Sequence, residues 1–172
     1  SADAEYMENG PGKKLRFMGG AAPSAFDCWL TNIGLKTLPL RMRQHCINAR
    51  VVAEFLDGHA KVDQTYWPGL PSHPKHDVAA RQMSDFGAMI SIDLGSYAAA
   101  GRFMSGLSLC SLGVSLGNVD TLVQHPASMT HRMLSDEGRT ASGITPGLVR
   151  LSVGIEDADD IVADLRNALT NI

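Results

Sequence analysis

The sequence predicts a two-layer α/β sandwich, a small sheet with helices packed on one face. Three observations carry this reading. Short apolar runs rich in β-branched residues alternate along the chain with segments of helical periodicity. The 172 residues are 44% apolar and 19% charged, close to ordinary globular usage and enough for one well-filled core. No internal repeat is visible, so neither a solenoid nor a propeller competes.

Residues 1–12 are polar and acidic and end in Pro11-Gly12, a composition that seldom orders itself without outside contacts; a loose N-terminal arm is expected over residues 1–14. Ser24 is the expected N-cap of the first helix, with Asp27 as a weaker capping-box partner. Phe26, Trp29, Leu30 and Ile33 recur at helical spacing, so a helix should run from about Ala25 to Leu38. Pro39 interrupts the pattern, which resumes through Leu40, Met42, Ile47, Val51, Val52, Phe55 and Leu56 to Asp57-Gly58: two helices, or one kinked helix. Val62 to Trp67 suits a short strand, and Pro68 to Pro74, with three prolines, is a loop. A helix is expected over Lys75–Met83, a central strand over Ala88–Leu94 and a short amphipathic helix over Tyr97–Ser105. The apolar pieces Leu107–Leu109 and Gly113–Leu116 precede a stretch that reads as irregular from Asn118 to Ser142. Strand Leu148–Ile155 and helix Ala158–Leu169, opened by Asp157 or Asp159, close the chain.

Charge and targeting features narrow the function classes. A net charge of −3 with no basic stripe recommends neither nucleic acid nor an anionic membrane as a partner. No apolar run reaches the ~20 residues of a membrane span, and the first residues lack the basic and apolar regions of a signal peptide, so a cytoplasmic location is expected. Cys28, Cys46 and Cys110 are widely spaced and odd in number, as reduced core thiols would be.

Gly147-Leu-Val-Arg-Leu-Ser-Val-Gly-Ile-Glu156 places one cation, Arg150, inside a segment that otherwise reads as buried strand. A buried arginine needs an anion, and its planar fork matches a carboxylate in two parallel hydrogen bonds. A small-molecule carboxylate and an internal ion pair with Asp or Glu both satisfy that requirement. Ser111-Leu-Gly-Val-Ser-Leu-Gly117 repeats a Ser-Leu-Gly unit whose glycines permit turns that open amides toward a ligand; it lacks the nucleotide-binding glycine patterns and equally suits a plain connection. Ser115 could add a hydroxyl donor to the same anion. His73 with His76, and His125 with His131, lack a third ligand at usual zinc intervals, so no metal site is expected. Met83, Met89, Met104, Met129 and Met133 are read as core filler. No Ser-His-Asp or Cys-His grouping has a recognisable context.

Several segments together resemble the Cys/Met-metabolism family of pyridoxal-phosphate enzymes. They are Gly34-Leu-Lys-Thr-Leu-Pro-Leu-Arg-Met42 with His45 and Asn48-Ala49, Tyr66-Trp-Pro-Gly-Leu-Pro-Ser-His-Pro74, Val114-Ser-Leu-Gly117, Gln124-His-Pro-Ala-Ser-Met-Thr-His131, and Leu148 to Asp157. The resemblance spans roughly Leu15 to Leu169. Ile33 before Gly34, and Ala25 within Ser24-Ala-Phe-Asp27, depart from the usual family pattern.

The resemblance implies that residues 15–172 are the small C-terminal substrate domain of a fold-type I enzyme, with a largely antiparallel sheet. It implies that Ser115 and Arg150 hold the α-carboxylate of a sulfur-containing amino acid, with Met129 near the pocket. The family's Schiff-base lysine stands in a Ser-x-Thr-Lys context, and none of Lys13, Lys14, Lys36, Lys61 or Lys75 has it. Pyridoxal phosphate is therefore expected in the full-length enzyme and not on this chain alone, which should be inactive by itself and should pair with a large domain absent from it. A homo-oligomer, a tetramer in particular, is the implied assembly. Within the family, Gln124 to His131 inclines toward the branch that cleaves methionine by elimination, ahead of the cystathionine- and acyl-homoserine-handling branches. A rival of another class is a stand-alone amino-acid-binding or regulatory domain that kept the carboxylate clamp without catalysis.

Overall fold

Ser24 and Asp27 close a capping box at the start of the first helix. The Asp27 amide donates to Ser24 Oγ (3.1 Å), and the Ser24 amide donates back to Asp27 Oδ2 (3.0 Å). These hydrogen bonds favour the carboxylate and hold Asp27 below its ordinary pKa. The computed structural model describes Gly10, Pro11, Gly19, Gly20 and residues 22–172, so the expected loose arm over 1–14 lies largely outside the described residues. The helix, α1, runs unbroken over Ala25–Asp57 with Pro39 inside it, which settles the choice left by the sequence in favour of one helix. The chain forms two units, residues 1–39 and residues 40–172. In the first, α1 exposes Phe26, Trp29, Leu30 and Ile33.

The second unit holds a five-stranded sheet of order β1-β2-β5-β4-β3. Its strands are β1 (Gln64–Tyr66), β2 (Met89–Asp93), β3 (Ser111–Leu112), β4 (Leu122–Gln124) and β5 (Leu148–Ser152). All neighbours are antiparallel except the β3–β4 edge, which is parallel. The helices are α2 (His76–Gln82), α3 (Tyr97–Ser105), α4 (Asp136–Ala141) and α5 (Ala158–Thr170). Among the described helices none is long and apolar enough to cross a membrane.

Alternation along the strands sorts the sheet into two faces. Ile90, Ile92, Val123, Val149 and Leu151 are fully buried on one of them. There they meet Ala49, Val52 and Leu56 of α1, Phe103 of α3, and Ile161, Leu165, Ala168 and Leu169 of α5 in one core. The α5 residues recur at i, i+4, i+7 and i+8, a single apolar stripe. Burial of each such side chain contributes about 1.5–3 kcal/mol.

Polar ties fix α1 to the exit of β5. His45 Nδ1 donates to the Val153 carbonyl (2.6 Å), and Asn48 Nδ2 donates to the carbonyls of Gly154 (3.1 Å) and Glu156 (2.7 Å). Gln44 holds the Asn48 amide in place from one turn away (2.7 Å). Buried donors and acceptors satisfied in this way lock a helix at one angle and height over a sheet. Lys61 Nζ donates to the carbonyls of Leu169 (2.9 Å) and Thr170 (3.3 Å), capping the end of α5.

Several expectations are corrected. Between the apolar pieces Leu107–Leu109 and Gly113–Leu116 lies the short strand Ser111–Leu112, and β4 and α4 emerge from the stretch read as irregular. The methionines are not core filler: Met83, Met89, Met129 and Met133 are exposed, Met133 at 90%, and Met104 alone of the five packs against the core. Cys46 and Cys110 are buried free thiols, whereas Cys28 is exposed. Burial, with the Asp164 carboxylate beside it, pushes the Cys110 thiol well above its ordinary pKa.

Candidate substrate-binding site

The sheet's other face carries polar residues in register. Tyr66 pairs with Ser91, Ser91 with Arg150, and Arg150 with Gln124, so the four form one row across β1, β2, β5 and β4. Neighbours in such a row have Cβ atoms about 4.5–5.5 Å apart. Arg150 is the cation in the row, held on the central strand between antiparallel partners.

One guanidinium nitrogen, Nη2, donates to the carbonyls of Val114 and Ser115, each at 3.0 Å. Nε is buried and has no hydrogen-bond partner among the described residues. Burial lowers the guanidinium's pKa from its ordinary value, yet arginine keeps its charge in proteins. Among the described residues Arg150 forms no ion pair; the two pairs found are Arg50 with Asp85 and Arg139 with Asp136. Among the described residues, the internal ion pair considered from the sequence is therefore not formed.

Three carboxylates of the second unit are engaged by neutral donors instead. Glu156 accepts from the Thr121 amide (2.5 Å) and the Thr121 hydroxyl (2.8 Å), and that hydroxyl accepts in turn from the Gly154 amide (2.9 Å). Asp93 accepts from the Thr145 hydroxyl (2.7 Å) and the Gly95 amide (2.9 Å). Asp164 accepts three successive amides, those of Ser108, Leu109 and Cys110, at 2.8–3.0 Å. Each of these carboxylates is held in a neutral-donor cradle, and none of them pairs with the guanidinium.

The segment Gly113–Gly117 lies over this face and is moored at three points. The Gly113 amide donates to the Val123 carbonyl (3.0 Å), the Gly117 amide donates to Ser152 Oγ (3.1 Å), and Arg150 ties down the carbonyls between them. Gly117 has φ +73°, a conformation that costs glycine little and side-chain-bearing residues more, so the second Ser-Leu-Gly unit turns the chain back onto β5. The loop explains why Ser152, on the same strand face as Arg150, is buried. It leaves Val114, Ser115 and Leu116 exposed.

The structure thus brings Ser115 and Arg150 together, through the Ser115 carbonyl; the Ser115 hydroxyl is exposed beside the guanidinium's anchor. Met129 stands on the turn that leaves β4, its amide donating to the His125 carbonyl (3.1 Å), with its side chain exposed. His125 is buried and fully engaged: Nε2 donates to the Pro146 carbonyl (2.9 Å), Nδ1 accepts from the Ser128 hydroxyl (2.9 Å), and the Tyr97 ring stands edge-on at 4.8 Å. His76 Nδ1 donates to the Pro68 carbonyl (2.8 Å) and the ring stacks on Phe86, while His73 Nδ1 accepts from the Lys75 amide (3.2 Å). These histidines shape turns. Gln124, Ser91 and Tyr66 are the residues of the row that the sequence did not single out, because strand register has no local signal.

Comparisons with known proteins agree with one another. The family model for Cys/Met metabolism PLP-dependent enzymes matches residues 5–170. L-Methionine gamma-lyase of Fusobacterium nucleatum subsp. polymorphum is 51% identical over 159 residues, 92% of this chain and 40% of that protein. L-Methionine gamma-lyase of Porphyromonas gingivalis is 52% identical over 166 residues, 93% of this chain and 42% of that protein. A crystal structure of cystathionine gamma synthase from Xanthomonas oryzae pv. oryzae, in complex with aminoacrylate and cysteine, superposes with a TM-score of 0.83 at 52% identity, covering 88% of this chain and 40% of that one. The chain spans about two fifths of the length of the relatives it matches.

Proposed function

Because the chain belongs to the Cys/Met metabolism PLP-dependent enzyme family, we propose that it is the substrate-holding, C-terminal domain of a lyase that cleaves the C–S bond of a sulfur amino acid, methionine first. The observation that carries this reading is Arg150: a half-buried guanidinium on a rigid central strand, with no acid partner among the described residues and a backbone loop fixing one edge. An amino acid's α-carboxylate supplies the anion that this cation lacks.

In this reading none of the described lysines carries the cofactor. Lys61 is committed to the carbonyls that end α5, and Lys36 and Lys75 are exposed on α1 and the loop before α2. We assign the pyridoxal phosphate to a part of the full-length protein beyond this chain, and expect the chain alone to be inactive. In this family the cofactor supplies the electron sink for bond breaking next to Cα; the present residues supply orientation. Arg150 grips the carboxylate with two donors, and the Ser115 hydroxyl adds a third. A carboxylate held at both oxygens cannot turn about its bond to Cα, which would fix the Cα bond presented for cleavage. Met129 lines the side-chain end of the pocket.

The apolar side chains that α1 exposes at Phe26, Trp29, Leu30 and Ile33 suit contacts with the rest of a full-length protein and with further copies in a homo-oligomer. A cytoplasmic location fits the same reading. A second activity, replacement or elimination on cystathionine, draws on the 52% identity to the Xanthomonas synthase; the carboxylate clamp serves both equally.

Steady-state kinetics on the full-length protein tests the proposal. Arg150→Ala should cost about 2–4 kcal/mol in kcat/KM for methionine, since a bidentate charge-assisted pair disappears. Arg150→Lys should recover little, because an ammonium cannot reproduce the fork. Near-parental kcat/KM for Arg150→Ala on every sulfur amino acid tried would return the arginine to a purely structural role.

A further inference from the structure

Two polar atoms on the open sheet face are buried without a partner among the described residues, and they are complementary. Arg150 Nε carries an N–H with nothing to donate to; Gln124 Oε1 is an acceptor with nothing to accept from. Their residues stand directly opposite each other on β5 and β4, on the face opposite the buried Val123, Val149 and Leu151. Gln124 is only 2% exposed, so its amide is shielded from bulk solvent. Leaving one such group unsatisfied is costly, and leaving two facing each other calls for an explanation.

We propose that Gln124 is the positioning residue for Arg150: when a carboxylate engages the guanidinium, Arg150 Nε donates to Gln124 Oε1. This rests on the carboxylate reading of Arg150 given above. At present Nη2 is drawn toward the carbonyls of Val114 and Ser115. A guanidinium is planar, so its Nε–H and Nη donors move together as it tilts about the terminal side-chain torsions. Capture of an anion by the Nη donors then sets the tilt, and Gln124, the register partner of Arg150, carries the acceptor for the remaining edge. A neutral acceptor suits this place: it holds the ring of donors without cancelling the charge the substrate needs. Gln124 thus acts through Arg150 and touches no reacting atom.

A double-mutant cycle in the full-length protein tests this, using Gln124→Met, which keeps the volume and removes the acceptor. In the parental background kcat/KM for methionine should fall about tenfold to fiftyfold, chiefly through a raised KM, with the melting temperature nearly unchanged. In the Arg150→Ala background the same substitution should cost less than about threefold, because the group it positions is gone. Equal losses in both backgrounds, or no loss in the first, would overturn the proposal. If instead Arg150→Ala is itself without effect, the carboxylate reading fails and this inference with it, a distinguishable result. Should Gln124→Met not fold, a crystal structure of the unaltered full-length protein with methionine decides: an Arg150 Nε to Gln124 Oε1 distance of about 2.7–3.2 Å supports the pairing, and a longer one overturns it.

Discussion

The two faces of the sheet are one residue apart in sequence and differ in almost everything else. Val149 and Leu151 point into a helix-covered core with Ile90, Ile92 and Val123, whereas Arg150 between them joins Tyr66, Ser91 and Gln124 on the opposite face. On the first face each side chain is closed in by its neighbours. On the second, a cation and a buried amide oxygen keep unmet bonding capacity, whereas on the first only the Thr65 hydroxyl does among the described residues. A strand can afford an uncompensated charge on one face because the other anchors it, and the anchoring makes the charge's position definite enough to select a ligand.

That contrast can be pushed from either side. The largest effect belongs to the closed face: Leu151→Ala should remove about 2–5 kcal/mol of stability, read from denaturant unfolding, because the site is fully enclosed and cannot collapse. If it cost less than about 1 kcal/mol, the closed face would not be the anchor described. On the open face the signs reverse. Ser115→Ala should leave unfolding unchanged, since its side chain is exposed, and should lower kcat/KM in the full-length protein by about 1–3 kcal/mol through loss of one donor to a charged acceptor. A melting temperature that falls while kcat/KM holds would move Ser115 to the structural side of the comparison.

The closed face was legible in the sequence and the open face only in part. Helical spacing from Phe26 to Leu56, with Ser24 and Asp27 at its start, located α1, although Pro39 reads as an interruption and the continuous helix accommodates it. Tyr97–Ser105 stood out by periodicity and its bounds match α3. β4 did not, because three residues carry no measurable alternation, and the parallel β3–β4 edge depends on a loop whose path is set by Gly117 and Ser152. Arg150 was conspicuous as a lone cation in an apolar run. Its partners were not: the Val114 and Ser115 carbonyls are backbone groups, and Gln124 faces it only through a register fixed by long-range pairing. The methionines mislead for a related reason, since composition cannot tell which face or turn a flexible apolar side chain occupies.

The most direct measurement compares an α-carboxylate with its neutral replacement. In the full-length protein, kcat/KM for methionine against methionine α-carboxamide should favour the acid by about a hundredfold or more, and Arg150→Ala should shrink that preference to within a few-fold by penalising the acid alone. Undiminished preference for the acid in Arg150→Ala would mean that the carboxylate is held elsewhere, and would contradict the assignment of the open face to substrate.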